Sequence, residues 1–299
     1  MICPICNNKE EIDGNIAKLY TVVVSDNKNE SKNFEMRQCS ECDIVYLNPM
    51  PKNEYLASFY EKGYHRVKES FLNETISRFN RKLAVSEIKK IKSDGKVLDI
   101  GCGRGMFLKS MQEAGYEVCG IEPSGDGSKI ARDIAKLKIS NCRLDEFECC
   151  DNSFDIVMLW HVLEHMSSPA ESLEQIKKII KPDGILIVEV PNFSSIESRF
   201  FNRYWQHLDV PRHMFFYNKK SLEKFLNLKG YEIIKVSTET YSCMILTPFK
   251  SYMLMFKGKN FLKKIFLICL FPAILILLFL KILPIVNFRS FIRIYAKPI

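Results

Sequence analysis

Nine residues, Val97–Gly105, read Val-Leu-Asp-Ile-Gly-Cys-Gly-Arg-Gly and narrow the fold more than any other stretch. An apolar strand runs into Asp99, then into three alternating glycines, and the apolar helix 106–114 follows at once. Glycine lets the backbone turn tightly and approach a ligand, and a helix start presents unbonded N–H groups to it. A nicotinamide loop is spaced G-x-G-x-x-G. Here the acid stands two residues before the first glycine, and the third glycine comes one place early. A second strand, 117–121, ends at Glu122, twenty-one residues after Gly101. That spacing suits a carboxylate at the tip of the second strand of a βαβ unit, where it accepts hydrogen bonds from both ribose hydroxyls.

Further along, Ser153–Leu159 reads as a buried strand with Asp155 at its entry, running into Trp160-His161-Val-Leu-Glu164-His165. Lys181-Pro-Asp-Gly184 then turns into the apolar strand 185–190. In order, Leu98–Gly105, Gly120–Ser124, Phe154–His165 and Ile180–Asn192 resemble the motifs of the class I S-adenosylmethionine-dependent methyltransferases, over roughly residues 75–240. Trp205–Tyr217, with Pro211 and His213, resembles a loop of one branch of that family, in which an N-terminal zinc ribbon ending in an Asn-Pro-x-Pro segment often precedes the core. The resemblance implies an α/β fold: a seven-stranded, mostly parallel Rossmann-like sheet with helices on both faces. It implies S-adenosylmethionine held by Asp99, Gly101, Cys102, Gly103, Gly105, Glu122, Leu144 and Trp160. One position departs from the family pattern. Arg143 stands where an acid usually meets the adenine amino group, which shifts adenine recognition to backbone groups near Leu144 or to Asp145.

Eleven cysteines in a chain whose start, Met1-Ile-Cys-Pro-Ile-Cys, lacks a charged n-region and an apolar h-region suggest a reducing, cytoplasmic compartment. Four of them pair as Cys3-x-x-Cys6 and Cys39-x-x-Cys42, two knuckles that can set four thiolates tetrahedrally around zinc. The loop between them is long for such a site but suits a ribbon with strands at 16–24 and 33–38. Expected domains are therefore 1–52, a zinc-ribbon-like lobe and connector; 53–242, the methyltransferase core entered by a helix near 71–91; and 243–299, an apolar, basic tail.

Charge is concentrated in that tail. After Glu239 there is no acid, while nine Lys and Arg residues follow, so the rest of a +8 chain stands at −1. A core so close to neutral argues against a nucleic-acid face. Residues 265–280 carry no charge, a run of about 24 Å as a helix against a bilayer core of roughly 30 Å, and Pro272 and Pro284 would kink it. Residues 261–286 are thus expected to dip into the cytoplasmic face of the membrane as apolar helices, the other reading being a buried dimerisation helix. A chain ending near 239–242 is expected to stay soluble and bind the cofactor.

A sulfonium-activated methyl group needs positioning and, for a hydroxyl, a base. His165, His213 and His161 are the catalytic candidates, with His207 weaker, and Tyr204 and Trp205 could line the acceptor pocket or be core aromatics of a lid formed by the loop that carries His213. The expected acceptor is a small molecule at the membrane: a sugar, a lipid-linked saccharide or a prenylated intermediate. The alternatives are RNA methylation through the ribbon and basic tail, and a non-catalytic zinc-ribbon binding module on a degenerate core.

Overall fold

The computed structural model describes residues 2–7, 16–25, 31–57, 59, 71–133, 135–238, 251 and 290–299. The apolar segment 261–286 lies outside the described residues, and among those described no helix is long and apolar enough to cross a membrane.

The chain opens with strands β1 (Ile16–Ser25), β2 (Ser31–Cys39) and β3 (Val45–Asn48), then helices α1 (Asn53–Ala57) and α2 (Phe71–Lys89). The core alternates β4 (Lys96–Ile100), α3 (Met106–Glu113), β5 (Glu117–Ile121), α4 (Gly125–Asp133), β6 (Ile139–Ser140), β7 (Phe154–Trp160), α5 (Pro169–Ile179) and β8 (Ile180–Pro191). It closes with α6 (Ile196–Phe201), β9 (Phe215–Phe216), α7 (Lys219–Leu228), β10 (Tyr231–Ser237) and β11 (Phe291–Pro298).

Seven strands form one sheet in the order β10-β11-β8-β7-β4-β5-β6. The run β8-β7-β4-β5-β6 is parallel throughout. Such strands are covered on both faces and read as continuous apolar runs, as β7 (Phe-Asp-Ile-Val-Met-Leu-Trp) does. Local signals set the helix ends: Pro169 at the first turn of α5, and Asn218 capping α7 by accepting from the Ser221 N–H at 2.8 Å.

Two boundaries differ from expectation. The final strand, β11, does not belong to a separate tail: it lies between β8 and β10, antiparallel to both. Its Phe-Ile-Arg-Ile-Tyr-Ala stretch is buried at all six positions, because an internal strand packs on both faces. Arg293, which reads in sequence as one more tail cation, stands directly opposite Glu189 in the register. A chain ending at 242 would therefore lack an internal strand of this sheet.

The cysteine lobe is also continuous with the core. The four-stranded sheet β1-β2-β3-β9 takes its last strand from Phe215–Phe216, which pairs with Tyr46 and Val45. Trp205, Phe201 and Leu208 pack there with Phe34, Met36, Leu47 and Phe216. Trp205 is thus a core residue between lobe and lid, 2% exposed, and not a wall of an open acceptor pocket.

Candidate active site

β4 delivers Asp99 and the glycine loop to the carboxyl edge of the sheet. Gly101 and Gly105 both have left-handed backbones, with φ of 69° and 71°. A Cβ on Gly101 would lie 2.7 Å from Val162, and one on Gly105 would lie 2.6 Å from Leu137. The loop after β7 therefore packs directly on the glycine loop, and both positions require glycine for backbone and for space.

At the tip of β5, Glu122 is buried, and its carboxylate accepts the Gly103 and Ser124 N–H groups, each at 2.7 Å. Asn141 steadies the same corner by donating to the backbone carbonyls of Glu122 and Pro123 at 2.8 and 3.0 Å. Asp99 is buried, and its Oδ1 accepts no hydrogen bond within the protein. Burial, reinforced by the nearby Glu122 charge, pushes its carboxyl up to about 8. A carboxyl buried like Asp99 beside the Glu122 charge lacks a partner that brings donors and positive charge, and a ribose joined to a sulfonium offers both. These residues fit S-adenosylmethionine.

The other cofactor candidates sit around this loop. Cys102 is half-buried, its thiol raised by burial, and its Sγ lies where a Cβ on Gly120 would come within 2.8 Å. Leu144 begins a 3-10 turn, and its carbonyl accepts the Gln175 side-chain amide at 2.6 Å. Arg143 is exposed and turned to Asp145 at 3.1 Å. Trp160 stacks on Phe107 with ring centroids 4.1 Å apart and carries the Arg293 guanidinium over its ring at 4.5 Å.

The three candidate histidines converge where β7 ends, but in different states. His161 has a left-handed backbone, φ 55°, and its ring stands 3.2 Å from Glu189 and 3.7 Å from Glu164. Burial lowers its basicity, yet the two carboxylates prevail and lift it to about 10. Glu189 is itself held by Arg293 at 2.7 Å, and Arg293 reaches Glu87 at 2.7 Å. His165 and His213 meet edge to face, ring centroids 4.5 Å apart. Burial and the neighbouring His165 press His213 down to about 4. Glu164 lies beneath them, buried, and its three histidine neighbours overcome desolvation to hold its carboxyl at about 2. His207 stays outside this group, edge-on to Phe291 at 5.0 Å.

Packed against the core beside Met214, Phe215 and Tyr217, the Sγ atoms of Cys3, Cys6, Cys39 and Cys42 all lie within 4.8 Å of one another. Cys3 contacts Cys42, and Cys6 contacts Cys39, at 3.6 Å. A family profile described as a methyltransferase domain matches residues 69–236. The chain belongs to that family. With it come the class I S-adenosylmethionine-dependent methyltransferase fold and cofactor. A ubiquinone biosynthesis O-methyltransferase of Haemophilus ducreyi is 32% identical over 107 residues, 32% of this chain and 45% of that protein. An uncharacterized methyltransferase of Schizosaccharomyces pombe is 32% identical over 138 residues, 40% of this chain and 49% of that protein. The chain thus spans just under half the length of these relatives. Among solved structures, a Pyrococcus horikoshii protein aligns at 17% identity with a TM-score of 0.53, over 80% of this chain and 100% of that one. A Burkholderia thailandensis 1,6-didemethyltoxoflavin-N1-methyltransferase, holding S-adenosylhomocysteine, aligns at 15% identity with a TM-score of 0.52, over 85% of this chain and 94% of that one. At these identities the structures share the fold.

Four participants escape a reading of motifs. Glu164 and Glu189 lie inside motifs but with no role assigned to them, and Glu87 and Arg293 lie in none. Arg293 is 104 residues from Glu189, and no spacing rule links them.

Proposed function

We propose that this chain transfers the methyl group of S-adenosylmethionine to a hydroxyl oxygen of a small acceptor carried in or on a membrane, of the prenylated quinone-precursor or lipid-linked saccharide kind. The glycine loop with Glu122 and the unpartnered Asp99 carries the cofactor half of this reading. The names of the ubiquinone-pathway relatives support the acceptor class. S-adenosylmethionine, once bound, supplies a methyl already activated by its sulfonium. Glu122 would hold the ribose hydroxyls and fix the donor in register, its carboxylate set by the Gly103 and Ser124 N–H groups.

His161 is protonated across the neutral range, so it serves as a fixed cation and hydrogen-bond donor, not as a base. His165 and His213 remain to engage the acceptor hydroxyl, as a base where their Nε2 atoms are free or through an ion that those atoms hold. His213 stays neutral, and its Nδ1 is engaged by the His207 carbonyl at 2.8 Å, so its proton-accepting nitrogen is Nε2. In the lobe, the four cysteines would hold a structural zinc ion, which would join the end of β2 to the N-terminal knuckle. Because β3 of this lobe pairs with the strand after His213, the ion would also steady the loop that carries His213.

The deciding experiment supplies methyl-labelled cofactor to cell extract with full-length protein and separates lipid from RNA. Label in the lipid fraction, absent with Glu122→Ala, is expected. Label in RNA alone, with binding that weakens steeply as salt rises, would move the assignment to an RNA methyltransferase.

A further inference from the structure

We propose that Glu164, His165 and His213 form a second metal site, distinct from the cysteine cluster and built for a divalent ion such as zinc or manganese. Three observations converge on it. One donor atom from each residue lies within 4.8 Å of the others. Donors around a tetrahedral ion are about 3.3 Å apart when each bond is about 2.0–2.1 Å, a closure that side-chain rotation can provide. Glu164 is 1% exposed, and neither of its oxygens accepts a hydrogen bond. The His161 ring faces it at 3.7 Å, beyond hydrogen-bond length, and the His165 and His213 rings lie beside it. A buried carboxylate in that condition calls for a cation.

The third observation is the way the imidazoles are held. His165 Nδ1 is 3.0 Å from the Arg212 carbonyl, and His213 Nδ1 is 2.8 Å from the His207 carbonyl. A carbonyl only accepts, so each Nδ1 carries the proton and each Nε2 carries the lone pair. A backbone carbonyl behind each ring is the arrangement that orients metal-binding histidines and fixes their tautomer. The frame is rigid as well. The Met214 N–H donates to the Glu164 carbonyl at 2.9 Å, and the Leu47 N–H donates to the Met214 carbonyl at 3.0 Å. The loop bearing His213 is therefore tied both to the loop bearing Glu164 and to β3.

Two nitrogens and one oxygen suit zinc, manganese or cobalt, and not the all-oxygen shells of magnesium or calcium. Three protein ligands leave a coordination position open, as catalytic metal sites do. The proposal rests on the reading above only for what fills that position, an oxygen of the acceptor. Ion binding itself does not require methyl transfer.

Cobalt(II) distinguishes the two sites, because only the cysteine cluster gives intense thiolate charge-transfer absorption in the near ultraviolet. Full-length protein stripped of metal and titrated anaerobically with cobalt is expected to bind two ions per chain. One should show the thiolate band and the other only weak visible bands. In His213→Gln and Glu164→Gln the weak signal should vanish and the count fall to one. The thiolate band and calorimetric binding of S-adenosylhomocysteine should persist and report an intact fold. Should Glu164→Gln fail to bind S-adenosylhomocysteine, His213→Gln decides alone. A wild-type protein that takes up a single, thiolate-bound ion, or a second signal unchanged in His213→Gln, overturns the site. Lipid labelling that survives such a result leaves the methyl-transfer reading standing. Two bound ions without lipid labelling count against that reading and not against the site.

Discussion

The two halves of the seven-stranded sheet are built differently. The cofactor half, β4-β5-β6 with its helices, comes from one unbroken stretch, residues 96–140, and each strand pairs with a sequence neighbour. The acceptor half, β8-β11-β10 with the histidine loops, is assembled from remote pieces. Arg293 from the last strand clamps Glu189 from β8 and Glu87 from α2, while the strand after His213 pairs with the cysteine lobe. A contiguous βαβ unit secures its geometry through turns and periodicity. A composite one secures it through buried charge and long-range strand pairing, so damage far away in sequence should reach the chemistry.

The largest test of that contrast is deletion of residues 290–299. It leaves β8 and β10 without their common partner and should give insoluble protein or protein without a cooperative thermal transition. A soluble, cofactor-binding product would show that the acceptor half is dispensable to the fold.

Next in size, Arg293→Met takes the guanidinium from buried Glu189, leaving it His161, and from part-buried Glu87, leaving it Lys235, and about 3 kcal/mol of stability should be lost in denaturant unfolding. Adding Glu189→Met removes one of those charges and should recover part of the loss. If the two substitutions simply add, the ion cluster is not a coupled unit.

On the cofactor side, Gly101→Ala forces a side chain into left-handed backbone and against Val162. It should cost about 1–3 kcal/mol and weaken S-adenosylhomocysteine binding, while leaving metal stoichiometry intact. The smallest effect concerns Asp155, which receives the Lys96 N–H at 2.8 Å and Lys181 at 3.0 Å. Burial raises its carboxyl, but these donors outweigh that and leave it below the ordinary value. A carboxyl depressed by folding stabilises the fold at pH above its unfolded value, about 3.9, and loses that contribution as pH falls through its folded value. Asp155→Asn should therefore be less stable than wild type at pH 7, by about 1–2 kcal/mol, and the gap should narrow below pH 4.

The same contrast explains what could be read in the sequence. Asp99, the glycines and Glu122 declare themselves because their chemistry depends on short, fixed spacings along one chain segment. The cysteine knuckles do so for the same reason. His161, His165 and His213 could be nominated, but not told apart. The protonation of His161 depends on Glu164 and Glu189 and that of His213 on its burial, and Glu189 is held in turn by a residue more than a hundred positions downstream. Phe291–Pro298 looked like the end of a basic apolar tail because strand partners are invisible without the sheet.

The central claim is that Glu122 and the glycine loop hold S-adenosylmethionine. Calorimetric titration of full-length protein with S-adenosylhomocysteine tests it most directly. One site per chain is expected, with Glu122→Ala weakening it by about 3 kcal/mol, on the order of a hundredfold in Kd. No measurable binding by the wild-type chain, or equal affinity in Glu122→Ala, would contradict it.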